Sequence, residues 1–178
     1  MSTVLFTVPS DFSYVIAAAC GAAMALHLSG SVVCLLRGKY FGSDKIRDYQ
    51  SLASTKDKRQ NQYEIGEIPT LGYPDEGQGR FAKSLSFGDW YRFSRLNRAY
   101  LNYTEQVILF VLSILLCGLV WPIPAAWLGL LIMIGRMVYF FGYAFEPTNI
   151  VMGVGEVIAL LCMFFNYGVF FKYLIVGS

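Results

Sequence analysis

Four long apolar runs, one polar stretch and two short breaks make up the chain. The first run extends from about Phe12 to Leu36, with His27 its only side chain that ionises near neutral pH. Ser10 or Asp11, after Pro9, can cap its start, and Arg37-Gly38-Lys39 is expected to end it with cations and a glycine. At 1.5 Å per residue, about 25 residues exceed the ~30 Å hydrocarbon core of a bilayer. The second helix is expected over 90–120. It is polar in its first half and apolar from Val107, and Trp121-Pro122-Ile123-Pro124 stops it. Third and fourth spans are expected over 124–145 and 150–175, with Glu146-Pro147 as the signal that starts the last helix. Short connections make the last three spans antiparallel neighbours. The pattern predicts an all-α, integral membrane four-helix bundle as a single domain over 1–178.

The polar stretch, 38–89, is expected to be an extended solvent-exposed loop. It contains Lys56-Asp57-Lys58-Arg59 and the glycine-rich piece from Gly72 to Gly79. Between Arg37 and Arg98 lie 12 of the 14 basic and 8 of the 12 acidic residues, so charge of both signs is concentrated there and the basic groups are interleaved with acidic ones. That mixture excludes a nucleic-acid surface. Lys and Arg in this loop put it on the cytoplasmic type of side, with both chain ends opposite. Charged residues are 15% of the chain and hydrophobic ones 56%. An ordinary soluble domain carries roughly 25% charged residues, so composition supports the membrane reading. The four cysteines lie in apolar runs without a C-x-x-C pair. They are expected to be small buried apolar residues, and no metal site is expected.

Ionisable and amide side chains inside a span are costly and therefore informative. Arg95, Arg98, Asn102 and Glu105 are spaced by 3, 4 and 3, which puts them on one helical stripe, expected to face the bundle as a ligand site or an inter-subunit network. Arg136, Tyr139 and Tyr143 share a face of the third span in the same way. Arg136 and Glu156 lie at equal sequence distance on either side of Glu146, so an antiparallel hairpin puts them at similar depth. A buried, structural ion pair is expected.

The run Arg95-Leu96-Asn97-Arg98-Ala99-Tyr100-Leu101-Asn102-Tyr103-Thr104-Glu105 resembles the R-x-x-R-A-x-x-N-x-x-E signature of the MAPEG superfamily, the membrane-associated proteins in eicosanoid and glutathione metabolism. Gly135-Arg136-Met137-Val138-Tyr139-Phe140-Phe141-Gly142-Tyr143 resembles that family's R-x-x-Y-x-x-G-Y signature. The resemblance implies four-helix protomers in a homotrimer, with glutathione between protomers and lipophilic small molecules arriving from the bilayer. It implies that Arg98, Asn102 and Glu105 hold the charged ends of glutathione, and that Tyr139 and Tyr143 complete the pocket. Arg37 matches a basic position near the thiol or substrate, so Arg37 and Tyr143 are the candidate catalytic side chains. The implied activity is that of a glutathione-dependent transferase or peroxidase in the endoplasmic reticulum or an organellar (mitochondrial or plastid) membrane.

Two departures qualify it. The enzymes carry a thiolate-stabilising arginine shortly after the G-Y pair, whereas residues 144–151 here include no basic side chain. The loop between the first two spans is also several times the family's usual length. The alternative reading is therefore a non-catalytic accessory subunit or lipid-binding scaffold that joins a larger membrane complex through 38–89.

Overall fold

The computed structural model describes residues 8–42, 70–73, 75–79, 81–145 and 149–176. Four helices carry the fold: α1 Phe12–Tyr40, α2 Phe87–Gly118, α3 Pro122–Phe145 and α4 Ile150–Val176. Each is long and apolar enough to cross a membrane. The protein is an all-α, integral membrane four-helix bundle with a long polar connection between α1 and α2. Two compact units are formed, one from Met1–Gly30 with Ala99–Ser178, the other from Ser31–Arg98. The expected Lys56–Arg59 cluster and the Glu146-Pro147 turn lie outside the described residues.

Helix ends depart from the expected ones for local reasons. α1 runs through Arg37, Gly38 and Lys39 to Tyr40, because cations suit a last turn. The Phe41 N–H then donates to the Arg37 carbonyl at 3.0 Å. α2 begins at Phe87, not 90, because Ser86 precedes it as a cap and its Oγ accepts the Asp89 N–H at 3.2 Å. It ends at Gly118, where a tightened turn sends the Leu119 and Val120 N–H groups to Leu116 and Cys117. Pro122 opens α3 at a position where its missing N–H costs nothing.

In the first unit the buried positions of α2 include Ala99, Tyr103, Phe110, Ser113 and Cys117, with Ile114 beside them. With Gln106, half-buried, the first five make a seam of alternating four- and three-residue steps, the spacing that keeps one face of a helix against its neighbours. α1 contributes Val15, Ala19, Ala22 and Ala25 to the same core. The Tyr103 hydroxyl donates to the Ala22 carbonyl at 2.6 Å, satisfying a polar group in an apolar interior. Cys117 and Cys162 are buried, but Cys20 and Cys34 are exposed, against expectation. A thiol behaves as a small hydrophobe and has no need of the core when the helix surface faces hydrocarbon.

α3 and α4 approach each other through glycine. A Cβ on Gly155 would lie 2.4 Å from the Tyr139 nitrogen, and one on Gly142 would lie 2.6 Å from the Met152 nitrogen. Small residues of this kind let membrane helices pack backbone to backbone, where dispersion replaces the hydrophobic effect as the associating force. Gly153, two residues from Gly155, has open space around it. Gly155→Ala should therefore cost about 1–3 kcal/mol by overpacking, whereas Gly153→Ala should be neutral or stabilising by up to about 1 kcal/mol through helix propensity. Unfolding of the two variants in mixed detergent micelles checks the pair. Equal effects would mean that the crossing is not tight.

Candidate functional site

The polar side chains of the first unit converge on Arg136. Its side chain is fully buried, and Nη1 pairs with the Glu156 carboxylate, whose side chain is 24% exposed. Gln106 bridges the two. Its Oε1 accepts from Arg136 Nη1 at 3.4 Å, and its Nε2 donates to Glu156 Oε1 at 3.3 Å. The guanidinium lies over three rings, with centroids at 4.3 Å for Tyr139, 4.9 Å for Tyr103 and 5.5 Å for Phe110. Such faces attract a cation more strongly where water is excluded. Nε and Nη2 have no hydrogen-bond partner among the described residues, so the rings and one carboxylate carry most of the compensation.

Tyr139 links this pair to α2, since its hydroxyl accepts a hydrogen bond from the Asn102 amide. The Tyr139 and Tyr143 rings stack with centroids 5.8 Å apart. Asn102, Tyr139 and Tyr143 thus belong to one polar patch, with Tyr139 buried and the other two half-buried. Arg98 and Glu105 are exposed. The stripe of Arg98, Asn102 and Glu105 does not face the interior of its own bundle, as expected from spacing, but runs beside the inward seam. Gln106, one residue on, is the polar group that turns inward. An offset of four from Asn102 was the available signal for it.

The second unit is built around Arg37, which is buried. Nε donates to the Leu71 carbonyl at 2.8 Å, and Nη2 donates to the carbonyls of Gly72, at 3.0 Å, and Asp75. Leu71 and Gly72 both have positive φ, at 64° and 65°. This left-handed pair lies where both of their carbonyls reach one guanidinium. A side chain such as Leu adopts that conformation only when its surroundings impose it, and three bonds to one cation do so. Gly72 is required on a second ground, because a Cβ there would lie 2.6 Å from the Phe41 ring. Tyr73 lies over the guanidinium at 4.0 Å. Its phenol is held above the ordinary tyrosine range, first by its hydrogen bond with the Cys34 thiol and then by burial, with the Arg37 charge opposing both.

Asp75 closes the same turn from the other direction. Its Oδ1 accepts the Gly77 and Gly79 N–H groups at 2.8 Å each, and its Oδ2 accepts that of Ala82 at 2.7 Å. Trp90 Nε1 donates to the Gly77 carbonyl at 2.8 Å, and Asn97 Nδ2 to the Glu76 carbonyl at 3.0 Å. The described part of the polar stretch is therefore a fixed turn, with Gly72, Asp75, Gly77 and Ala82 buried. Arg37, a candidate for thiol chemistry, directs Nε and Nη2 to backbone carbonyls. Asp-Glu-Gly-Gln-Gly, an acceptor followed by glycines able to crowd around it, was the sequence signal for this turn.

The sequence profile of the MAPEG family matches residues 14–169. The chain belongs to the MAPEG family. No curated protein matches it. Both motif-bearing helices of this MAPEG protein lie inside the matched segment, as do Arg37 and Glu156. Among the described residues, no group of His, Cys, Asp or Glu could hold a metal ion.

Hydrogen bonds to a charged group contribute about 1.5–3 kcal/mol each. Replacing Arg37 by Gln should thus raise the rate at which trypsin cuts at Lys83 by at least about tenfold, through opening of the Leu71–Ala82 turn. Asp75→Asn should do the same, because an amide presents a donor where the carboxylate accepts. Timed digestion followed by mass spectrometry reads both. Unchanged cleavage in the two variants would show that the turn is held by something else.

Proposed function

We propose that this MAPEG protein binds glutathione through the α2 and α3 signature residues, with thiol chemistry weak or absent. The observation that carries the reading is the Asn102–Tyr139 hydrogen bond, which joins the two signatures in one patch beside Tyr143. Glutathione has two carboxylates and one ammonium. Arg98 suits a carboxylate and Glu105 an ammonium through charge-assisted hydrogen bonds. Asn102 offers an amide, and the tyrosines offer hydroxyls. The residues present fit the tripeptide's ends.

When bound, glutathione would supply a thiol for addition to, or reduction of, a lipophilic electrophile. A free thiol has a pKa near 8.5, so about a few per cent is ionised at neutral pH unless a cation lowers it. Residues 144–151 provide no such cation, and Nε and Nη2 of Arg37 are committed to backbone carbonyls. Tyr143 is the remaining candidate near the thiol. Exposed charges on α2 also fit a neighbouring protomer closing over that face, as the homotrimer of the family would do, within an endoplasmic reticulum or organellar membrane.

The second reading is a non-catalytic accessory subunit or lipid-binding scaffold. The Arg37–Asp75 turn favours it, since an ordered polar element outside the apolar spans offers a surface to a larger complex. Calorimetric titration of glutathione into the purified protein in detergent separates the two. Binding that weakens by about tenfold or more on Arg98→Ala, the loss of roughly one charge-assisted bond, supports the first reading. Wild-type protein that takes up no glutathione leaves the scaffold.

A further inference from the structure

A groove of about 560 Å³ opens on the outer face of the first unit, between the beginnings of α1 and α3. Tyr14, Ala17, Gly21, Trp127, Leu130 and Met133 line it, and none of its lining residues is charged. Its floor is a close helix approach. A Cβ on Gly129 would lie 3.0 Å from that of Ala18, and one on Gly21 would lie 3.3 Å from Met133 Sδ. The groove therefore exists because small residues replace large ones along one side of α1.

Its length and its ends say what fits it. From Ile123 to Met133 is ten helical residues, ~15 Å, or half of a ~30 Å hydrocarbon core. α3 has 24 residues, so Ile123 stands at one membrane boundary and Met133 near the midplane. At the boundary end two amphipathic rings project outward, Trp127 64% and Tyr14 59% exposed. Such rings sit at headgroup level when the helix surface faces lipid. Near the midplane the groove ends at Gly21 and Met133, with no polar group there to be matched. We propose that this groove is a site for one acyl chain of a phospholipid from the leaflet at that end of the bundle. The proposal is independent of glutathione, whose candidate residues are on other turns of the helices.

Two measurements test it, with palmitoyl-oleoyl phosphatidylcholine and its bromine-labelled analogue as probes. In native mass spectrometry, protein washed in mild detergent should retain one phospholipid per chain. Ala17→Phe, which fills the groove from its exposed side, should lower that retention by at least about tenfold, equivalent to 1.4 kcal/mol. With Trp127 as the sole tryptophan (Trp90→Phe, Trp121→Phe), mid-chain-brominated lipid in vesicles should quench its fluorescence in a phase that saturates at low lipid fraction. Quenching that rises only in proportion to brominated lipid, together with no retained lipid, would overturn the proposal. So would a disulfide between two chains carrying Ala17→Cys in a Cys20→Ser background, because a second copy of the chain would then fill the groove.

Discussion

A guanidinium placed at the middle of a membrane-spanning helix must be compensated from within the protein, and the arrangement around Arg136 follows from that requirement. Its charge is met by Glu156 on the adjacent antiparallel helix, and Gln106 of α2 ties both partners to a third helix. In a medium that offers no water, breaking the pair would leave one buried charge unanswered, which costs far more than the pair contributes when intact. The glycine crossing of α3 and α4 brings the two partners to the same depth. The aromatic faces of Tyr103, Phe110 and Tyr139 fill the space that a hydrated cation would otherwise need. Tyr139 then passes the order on to Asn102, so the candidate ligand patch rests on the ion pair.

Arg37 solves the same problem in a different way. No carboxylate accepts from its guanidinium among the bonds described. Instead, carbonyls of a turn that begins 34 residues later in sequence surround it, and the carboxylate of Asp75 is used to gather the N–H groups of that turn. The two halves of the arrangement depend on each other, since the left-handed Leu71-Gly72 pair is unfavourable without the cation and the buried cation is unfavourable without the carbonyls. A residue that resembles a catalytic position has thereby become part of the frame. This makes a family member that binds a ligand without activating it physically coherent.

Much of this was open to reading in the sequence. Apolar runs longer than a bilayer is thick admit few folds, and an arginine and a glutamate at equal distance from a turn can meet in a hairpin. The family signatures contain Asn102, Tyr139 and Tyr143, which are in contact through a hydrogen bond and stacked rings. What remained hidden depends on phase or on long-range pairing. The stripe from Arg98 to Glu105 has helical spacing, but spacing alone does not say which face turns inward. That was decided by the large side chains at Tyr103 and Phe110, and it brought Gln106 in place of Glu105 to the interior. Ser86 as a cap was concealed by Ser84 and Asp89, which are cap-forming residues within three positions of it. Nothing local in Leu71 announces a positive φ, because the cause is an arginine on another element. The exposure of Cys20 was hidden because an apolar residue on a membrane helix can as well face lipid as core, and that of Cys34 because its thiol meets the hydroxyl of Tyr73, far away in sequence.

The claim that the polar core organises the bundle is tested most directly by a double-mutant cycle on Arg136→Met and Glu156→Gln, read as unfolding free energy in mixed detergent micelles. Each single change should cost about 3–5 kcal/mol by stranding its partner. The double variant should cost clearly less than the sum, with a coupling of about 1–3 kcal/mol. Additive losses, or single variants as stable as the parent, would contradict the account.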